Sequence, residues 1–376
     1  MSQFTLTIYT PQELNHASNP HTAFFELAHT GVLDVCVKLN VKSKRGRLKV
    51  DESGKVVKTN QAYPKASYYE LTNHDTQEHI RFAFDLYDFD TQFSLEALKT
   101  CDWVFKRCYN SKYITHLPET YQKKIQPYGL NFGVRSAYHK GKAIFFLGLL
   151  LSRWRVYVKP NRNVFKNLYY HTKWVAKHWQ FINTTRLLSQ FEAFTMPKTE
   201  IVMFQTRCFK EAHQDVINIH TQRYQIIKRL QREFPKRFQG GFIASEVANT
   251  KYADALTNVP SEPLAYLQAM KHANIVVYTR GLANSPAWKL AEYLSQGKVI
   301  IAERLTSELP VPLEHGKQLL YFDTLDNMVH QINLVLEDKE LAQSLSKHAR
   351  QYFENNVHPV KNINRILDLM IKPTNT

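Results

Sequence analysis

Apolar and polar positions alternate at the start of the chain, FTLTIYT over Phe4–Thr10, and predict a strand. The turn-rich NHASNPHT after it reads as a loop, with His16 and His21 as surface groups near a cleft. LDVCVKLNV (Leu33–Val41) predicts a second strand, and KSKRGRLKVDESGKVVK a hairpin centred on Glu52-Ser53-Gly54. RFAFDLYDF reads as a strand running into a loop, and SLEALKTCDWVFKR as a helix leading to a strand. Helical patterns dominate from Tyr138 to Phe191, broken at Pro160. After a boundary near Phe191–Thr199, strand and helix alternate with short connections. The strands are IVMFQTR, FQGGFIA, NIVVYTRG, KVIIAER and LLYFD. The helices between and after them include INIHTQRYQIIKRLQREF, PLAYLQAMKHA, PAWKLAEYLSQ and LDNMVHQINLVLED. A last helix carries Val360, Ile363, Ile366, Leu367 and Met370 on one face. This alternation predicts an α/β chain with a parallel, doubly wound sheet in the second half.

A chain of 376 residues suits two domains. We place them at 1–195 and 196–358, with a terminal helix over 359–376. The net charge of +16 changes the picture more than the length does. Residues 1–195 hold 27 Lys/Arg against 15 Asp/Glu, and the rest hold 22 against 18. A field of that sign attracts phosphates on nucleic acid, nucleotides or anionic lipid. The four cysteines form no C-x-x-C pair and read as reduced, cytoplasmic thiols. The N-terminus shows no secretory pattern. The longest apolar run, AIFFLGLLL, is about half the roughly 20 residues a spanning helix needs.

P-loop, G-x-G-x-x-G, H-E-x-x-H and G-x-S-x-G fingerprints are absent. The informative segment is IVVYTRGLANSPAWKLAEYLSQGKVIIAE, Ile275–Glu303. Tyr278 and Arg280 stand at the carboxyl end of a parallel strand, where ligands bind in such sheets. Ser285-Pro286 predicts the start of a helix whose free N–H groups suit a phosphate. Lys289 and Glu292 share a face of that helix, Gly297 caps its end, and Trp288 reads as packing. Arg280 and Lys289 fit a diphosphate, and Glu292 fits a ribose diol.

The stretch KLAEYLSQGKVIIA resembles the nucleotide-binding signature of GT-B glycosyltransferases of the family 1/4 type, many of which build bacterial capsule, lipopolysaccharide and other surface glycans. The resemblance extends to about Pro359. FDLYDFDT…CDWVFKRCYN…PYGLNFG looks like the acceptor half of such enzymes, less distinctly. It implies the GT-B fold, two Rossmann-like domains with a cleft between them and the last helix crossing back. It implies a nucleotide-diphospho-sugar as co-substrate, with no metal or other cofactor. It assigns the ribose to Glu292 and donor phosphates to Arg207. Retaining members often carry a second Glu eight residues before the first. Here that position is Asn284, which leaves the stereochemistry open.

A base on the acceptor side is needed if the reaction inverts. Asp85 and Asp88 are the candidates, with a loop of solvated carboxylates as the plainer reading. Asp88-Phe89-Asp90 also matches D-x-D, a three-residue pattern that the second-half signature outweighs. Lys106 and Arg107 either attract a phosphorylated acceptor or coat the surface. Between Glu119 and Glu192 the chain has 13 Lys/Arg, three Trp and no acid. That composition suits peripheral docking on anionic lipid of the inner leaflet, and so a lipid-linked acceptor. The alternative is a basic single-stranded nucleic-acid-binding protein, which has the aromatics and charge but no recognisable module.

Overall fold

The protein is described by a computed structural model that covers residues 2–10, 13–40, 46–59, 65–152, 163–196, 199–210 and 213–371. Two compact units emerge. One comprises residues 1–188, 307–310 and 358–376, and the other residues 189–306 and 311–357. Pro160 and Trp154 lie outside the described residues. No described helix is long and apolar enough to cross a membrane.

The first unit is built on β1 (Phe4–Thr10), β2 (Asp34–Leu39), β5 (Ala66–Asn73), β6 (His79–Asp85), β8 (Trp103–Lys106) and β9 (Ile125–Pro127), ordered β2-β1-β5-β6-β8-β9. Only β5 runs against the rest. The strands β3 (Arg47–Val50) and β4 (Val56–Thr59) form the expected hairpin and pair with β7 (Gln92–Ser94) in a small second sheet. Asp51 Oδ1 closes the hairpin turn by accepting from Ser53 N and Lys55 N, both at 2.9 Å. The alternation pattern missed β5 because its first four residues are all buried, so no polar face marks it.

The loop expected at NHASNPHT is instead part of a helix, Leu14–His29, which crosses from β1 to β2. Its Ser18, Asn19, Pro20, His21 and Thr22 disguise it, because they are polar or helix-breaking residues that are nonetheless buried. Tyr128 Oη donates to Asn19 Oδ1 at 2.7 Å, and Thr22 Oγ1 donates to the Val134 carbonyl at 3.0 Å. His21 is buried, not a surface group, and burial lowers its pKa to about 3. The terminal helix Pro359–Ile371 packs on Leu14–His29, sending Ile363, Ile366 and Met370 into the same core. The run AIFFLGLLL forms helix Lys142–Ser152, which divides its apolar residues. Phe145 and Leu149 are core, while Leu147 and Leu151 are exposed. A Cβ on Gly148 would fall on Thr10 Oγ1, so glycine is what lets this helix lie against β1.

In the second unit five strands are all parallel: β10 (Val202–Thr206), β11 (Phe238–Phe242), β12 (Ile275–Tyr278), β13 (Val299–Glu303) and β14 (Leu320–Phe322). Their order is β11-β10-β12-β13-β14. The chain therefore winds one way from β10 to β11 and the other way from β12 on. The switch point lies between β10 and β12, outside whose carboxyl ends such sheets hold ligands. Helices Gln214–Glu233, Pro263–His272, Trp288–Ser295 and Leu325–Glu337 follow the expected pattern. Helix Lys339–Tyr352 was not anticipated, since Ala342, Ser346 and Ala349 on its buried face are too small to mark an apolar stripe. Both units are thus Rossmann-like α/β layers.

Gly297 ends helix Trp288–Ser295 as expected, at φ +50. Lys298 N reaches back to the Tyr293 carbonyl at 3.1 Å. The Lys298 side chain is fully buried and donates to the Lys271 carbonyl at 2.9 Å and to the Ala273 carbonyl at 2.5 Å. Burial, and then the nearby Lys271, lowers its pKa from 10.5 to about 7. Between those values the unfolded chain holds a proton that the folded chain does not, so the contribution of Lys298 to stability rises with pH. The unfolding free energy of the wild type, relative to Lys298→Met, should therefore increase across pH 7–10 by up to about 1.4 kcal/mol per unit. Urea melts of both proteins at several pH values measure this, and a pH-independent difference would refute it.

Candidate functional site

Three arginines converge at the switch point of the second sheet. Arg207 follows β10 and is exposed, with its guanidinium 5.5 Å from the Phe209 ring. Arg280 follows β12. Arg223 reaches the same edge from helix Gln214–Glu233, although it is buried. It donates to the Arg207 carbonyl at 2.9 Å and to the Arg280 carbonyl at 3.0 Å, stapling the two strand exits together. Burial, then the charges of Arg207 and others nearby, lowers its pKa to about 10. The Arg280 guanidinium pairs with Asp215 at 2.7 Å and lies 3.9 Å from Glu303. Burial pushes the Asp215 carboxyl up, but the Ala283 N–H and Arg280 outweigh it and hold it below its usual value.

The loop after Arg280 differs from expectation. Its helix starts at Trp288, with Ala287 and not Ser285 as the capping residue. Residues Leu282–Asn284 form a single tight turn first, closed by Gly281 N donating to the Ser285 carbonyl at 2.8 Å. Ser285 is buried in that turn. Tyr278 is buried as well, and its hydroxyl accepts from Ala287 N at 3.0 Å. Both shape the backbone of this loop. Ala283 and Asn284 have φ of 54 and 60, a conformation unfavourable for alanine. Asp215 Oδ2 accepts from Ala283 N at 3.0 Å and so pins the strained residue. Lys289 Nζ donates to the Gln205 carbonyl and lies 4.4 Å from the Tyr266 ring centre. Glu292, on the same helix, is buried at 4 % exposure.

In the first unit the carboxyl ends of β1, β6, β8 and β9 gather a second polar cluster. Arg107 Nη1 donates to Asp88 Oδ1 at 2.6 Å, and its Nε donates to Asn131 Oδ1 at 3.0 Å. Lys65 also pairs with Asp88. Burial pushes the Asp88 carboxyl up, but the charges of Arg107, Lys65 and His16 hold it well below the carboxylate range. His16 stands on the first turns of its helix, with Nδ1 3.0 Å from Glu13 Oε2 and Nε2 3.8 Å from Asp88 Oδ1. Burial raises the Glu13 carboxyl, and His16 and Lys65 more than reverse that. An ionised carboxylate only accepts, so Nδ1 carries a proton, and in the neutral form of the ring the basic nitrogen is Nε2. Pro20 has no N–H to offer the His16 carbonyl, and Asn131 Nδ2 approaches that carbonyl at 3.4 Å instead.

Asp85 and Lys106 require correction. Both are fully buried and paired with each other at 3.6 Å. Burial raises the Asp85 carboxyl, partly offset by Lys106 and by the N–H groups of Ser94 and Tyr87. Lys106 Nζ donates to the Gln92 carbonyl at 2.7 Å. In this structure neither side chain meets solvent; the pair braces the loop between β6 and β7. Asp90 accepts from Asn110 at 3.0 Å, apart from the Asp88 cluster.

The sequence model of a family described as "Glycosyl transferase-like" matches residues 223–368. That span contains Arg223, the loop 280–287 and the helix carrying Lys289 and Glu292. This chain carries a glycosyl transferase-like region. No curated protein matches it. Solved structures similar to it include HepE from Anabaena in complex with UDP-glucose, at 10% identity over 98% of this chain and 99% of that one, TM-score 0.37. A second is the C-terminal domain of a group 1 family glycosyl transferase, LpcC, from Francisella tularensis, at 11% identity over 42% and 85%, TM-score 0.27. A third is a glycosyltransferase from Rickettsia africae, at 12% identity over 75% and 66%, TM-score 0.37. The family match gives the nucleic-acid alternative no support.

Of the residues singled out in the sequence, the structure brings Arg207 and Arg280 together, and separately Asp88, Arg107 and His16. It adds Arg223, Asp215, Glu13 and Asn131. Arg223 had a signal: it interrupts the apolar stripe Val216, Ile219, Ile226, Ile227, Leu230 at helical spacing. Replacing Asp215 by alanine should remove the partner of Arg280 and the acceptor for Ala283 N. A loss of about 1–3 kcal/mol in urea unfolding is expected. Asp215→Ala unfolding like the wild type would show that the loop holds itself.

Proposed function

We propose that this chain is a glycosyltransferase that moves a sugar from a nucleotide-diphospho-sugar to a hydroxyl group of a lipid-linked glycan in bacterial surface polysaccharide synthesis. It would work peripherally at the inner face of the cytoplasmic membrane. The observation that carries the donor assignment is the convergence of Arg207, Arg223 and Arg280 on the switch point of an all-parallel sheet. Fixed positive charge there stabilises a diphosphate leaving group without a bound metal. Arg207 and Arg280 face the phosphates in this reading, and Arg223 holds their loops. Lys289 adds charge, and Glu292 takes the ribose hydroxyls.

For the acceptor we assign His16 as general base, in place of Asp85 and Asp88. Asp85 is sealed, and Asp88 is too weakly basic beside Arg107 and Lys65 to take a proton effectively. The acceptor oxygen attacks the anomeric carbon, and its proton passes to His16 Nε2. The bond from that carbon to the phosphate oxygen breaks, and the nucleoside diphosphate leaves. Asn284, where a second acid would support retention, agrees with inversion.

A thermal-shift panel of nucleotides tests the donor site, because ligand that binds only the native state raises the melting temperature. One nucleoside diphosphate should stabilise the wild type and not Glu292→Ala. Once a donor is known, His16→Ala should lower kcat by about 10²–10⁴ with the donor shift intact. No shift with any nucleotide would overturn the donor assignment, and an unchanged kcat the base.

A further inference from the structure

Helices Lys142–Ser152 and Val164–Thr184 of the first unit pack antiparallel. Lys142 Nζ meets Asn183 Oδ1 at 3.2 Å near one end, and His171 Nε2 meets the Leu150 carbonyl at 2.8 Å near the other. Phe146 lies edge-on to Trp179 between them, ring centres 5.0 Å apart. His171, Val175, His178 and Ile182 fill the inner stripe of the longer helix.

Its outer face carries what an ordinary solvated face does not. Phe165 is 86% exposed, Tyr169 57% and Tyr170 52%. Lys166, Lys173 and Lys177 fall on the same outward arc at 100° per residue, and all three are exposed. Lys173 lies 5.2 Å from the Tyr169 ring centre and donates to its hydroxyl at 3.2 Å. On the shorter helix Leu147 and Leu151 are exposed too. No acid occurs between Glu119 and Glu192 to offset these lysines within that stretch.

Aromatic rings with polar tips, bare aliphatic side chains and unopposed lysines match one environment, the headgroup boundary of an anionic bilayer. Single-stranded nucleic acid would use the rings and lysines but has no use for Leu147 and Leu151. We propose that the outward face of helix Val164–Thr184, with Leu147 and Leu151 beside it, docks this glycosyltransferase on anionic lipid. The inference deepens the lipid-linked reading above and rests on it only for what the acceptor is.

The purified full chain is floated with vesicles of phosphatidylcholine alone and with about one-third phosphatidylglycerol, at low salt and at about 0.5 M salt. Two variants run beside it: Lys166→Glu/Lys173→Glu/Lys177→Glu, and Phe165→Ser/Tyr169→Ser/Tyr170→Ser. The wild type should float with anionic vesicles at low salt, less at high salt and little with neutral lipid. Each variant should bind at least tenfold more weakly while keeping the wild-type melting temperature. Wild type that stays unbound, or variants that float equally, would overturn the proposal, as would capture by single-stranded DNA without flotation. A nucleotide thermal shift on the same samples separates this failure from failure of the donor site.

Discussion

Like charge crowded at one edge of a parallel sheet is the constraint around which the second unit is organised. Parallel strands all end on the same side, so residues that leave them meet there. Arg207, Arg223 and Arg280 repel one another, and burial, followed by that repulsion, lowers the Arg223 pKa to about 10. Two carbonyl oxygens hold Arg223 in place, and Asp215 with Glu303 holds Arg280. These partners neutralise only part of the charge. The edge is left with a fixed positive charge, held in place before any ligand arrives.

The first unit solves the same geometry differently. Asp85 and Lys106 are register partners on adjacent parallel strands, and their ion pair is fully buried. A pair with that much desolvation is weak evidence of stability. Its structural consequence is clearer: it ties the exits of β6 and β8, so that Asp88 and Arg107 meet just beyond. There the charges nearly cancel, with Arg107 and Lys65 against Asp88 and Glu13. What stands out is an imidazole with one nitrogen committed to Glu13, an arrangement suited to moving a proton more than to holding a phosphate.

The alternation of strand and helix in residues 200–340 was legible because strands such as Val202–Thr206 and Val299–Glu303 end at a polar residue and the longer helices show a clear stripe. What could not be read was which residue at a strand exit faces outward. Asp85 and Asp88 look alike in FDLYDFD, yet Asp85 is sealed and Asp88 is not, while Lys106 and Arg107 are both buried. Side-chain direction there depends on register and on where the strand stops. Glu13 is the N-cap three residues before His16, a local pairing hidden because the helix itself went unread, whereas Asn131 comes to His16 from a loop after β9 and belongs to no spacing pattern. The helix carrying His16 was hidden by buried polar residues, whose hydrogen-bond partners lie more than a hundred residues away.

Ala283 and Asn284 connect these levels. A non-glycine residue at positive φ is tolerated only where surrounding contacts enforce it. Here Asp215 fixes Ala283 N, and Thr306 Oγ1 donates to the Asn284 carbonyl at 3.2 Å. The strained turn therefore exists because the arginine edge beside it needs a carboxylate, and that carboxylate also grips the loop. Asn284 occupies the position at which the enzymes this chain resembles often place a second acid. An asparagine there leaves the edge one negative charge poorer. With three arginines already gathered, the absence of an acid at this position leaves the edge with a surplus of positive charge that Asp215 and Glu303 do not cancel.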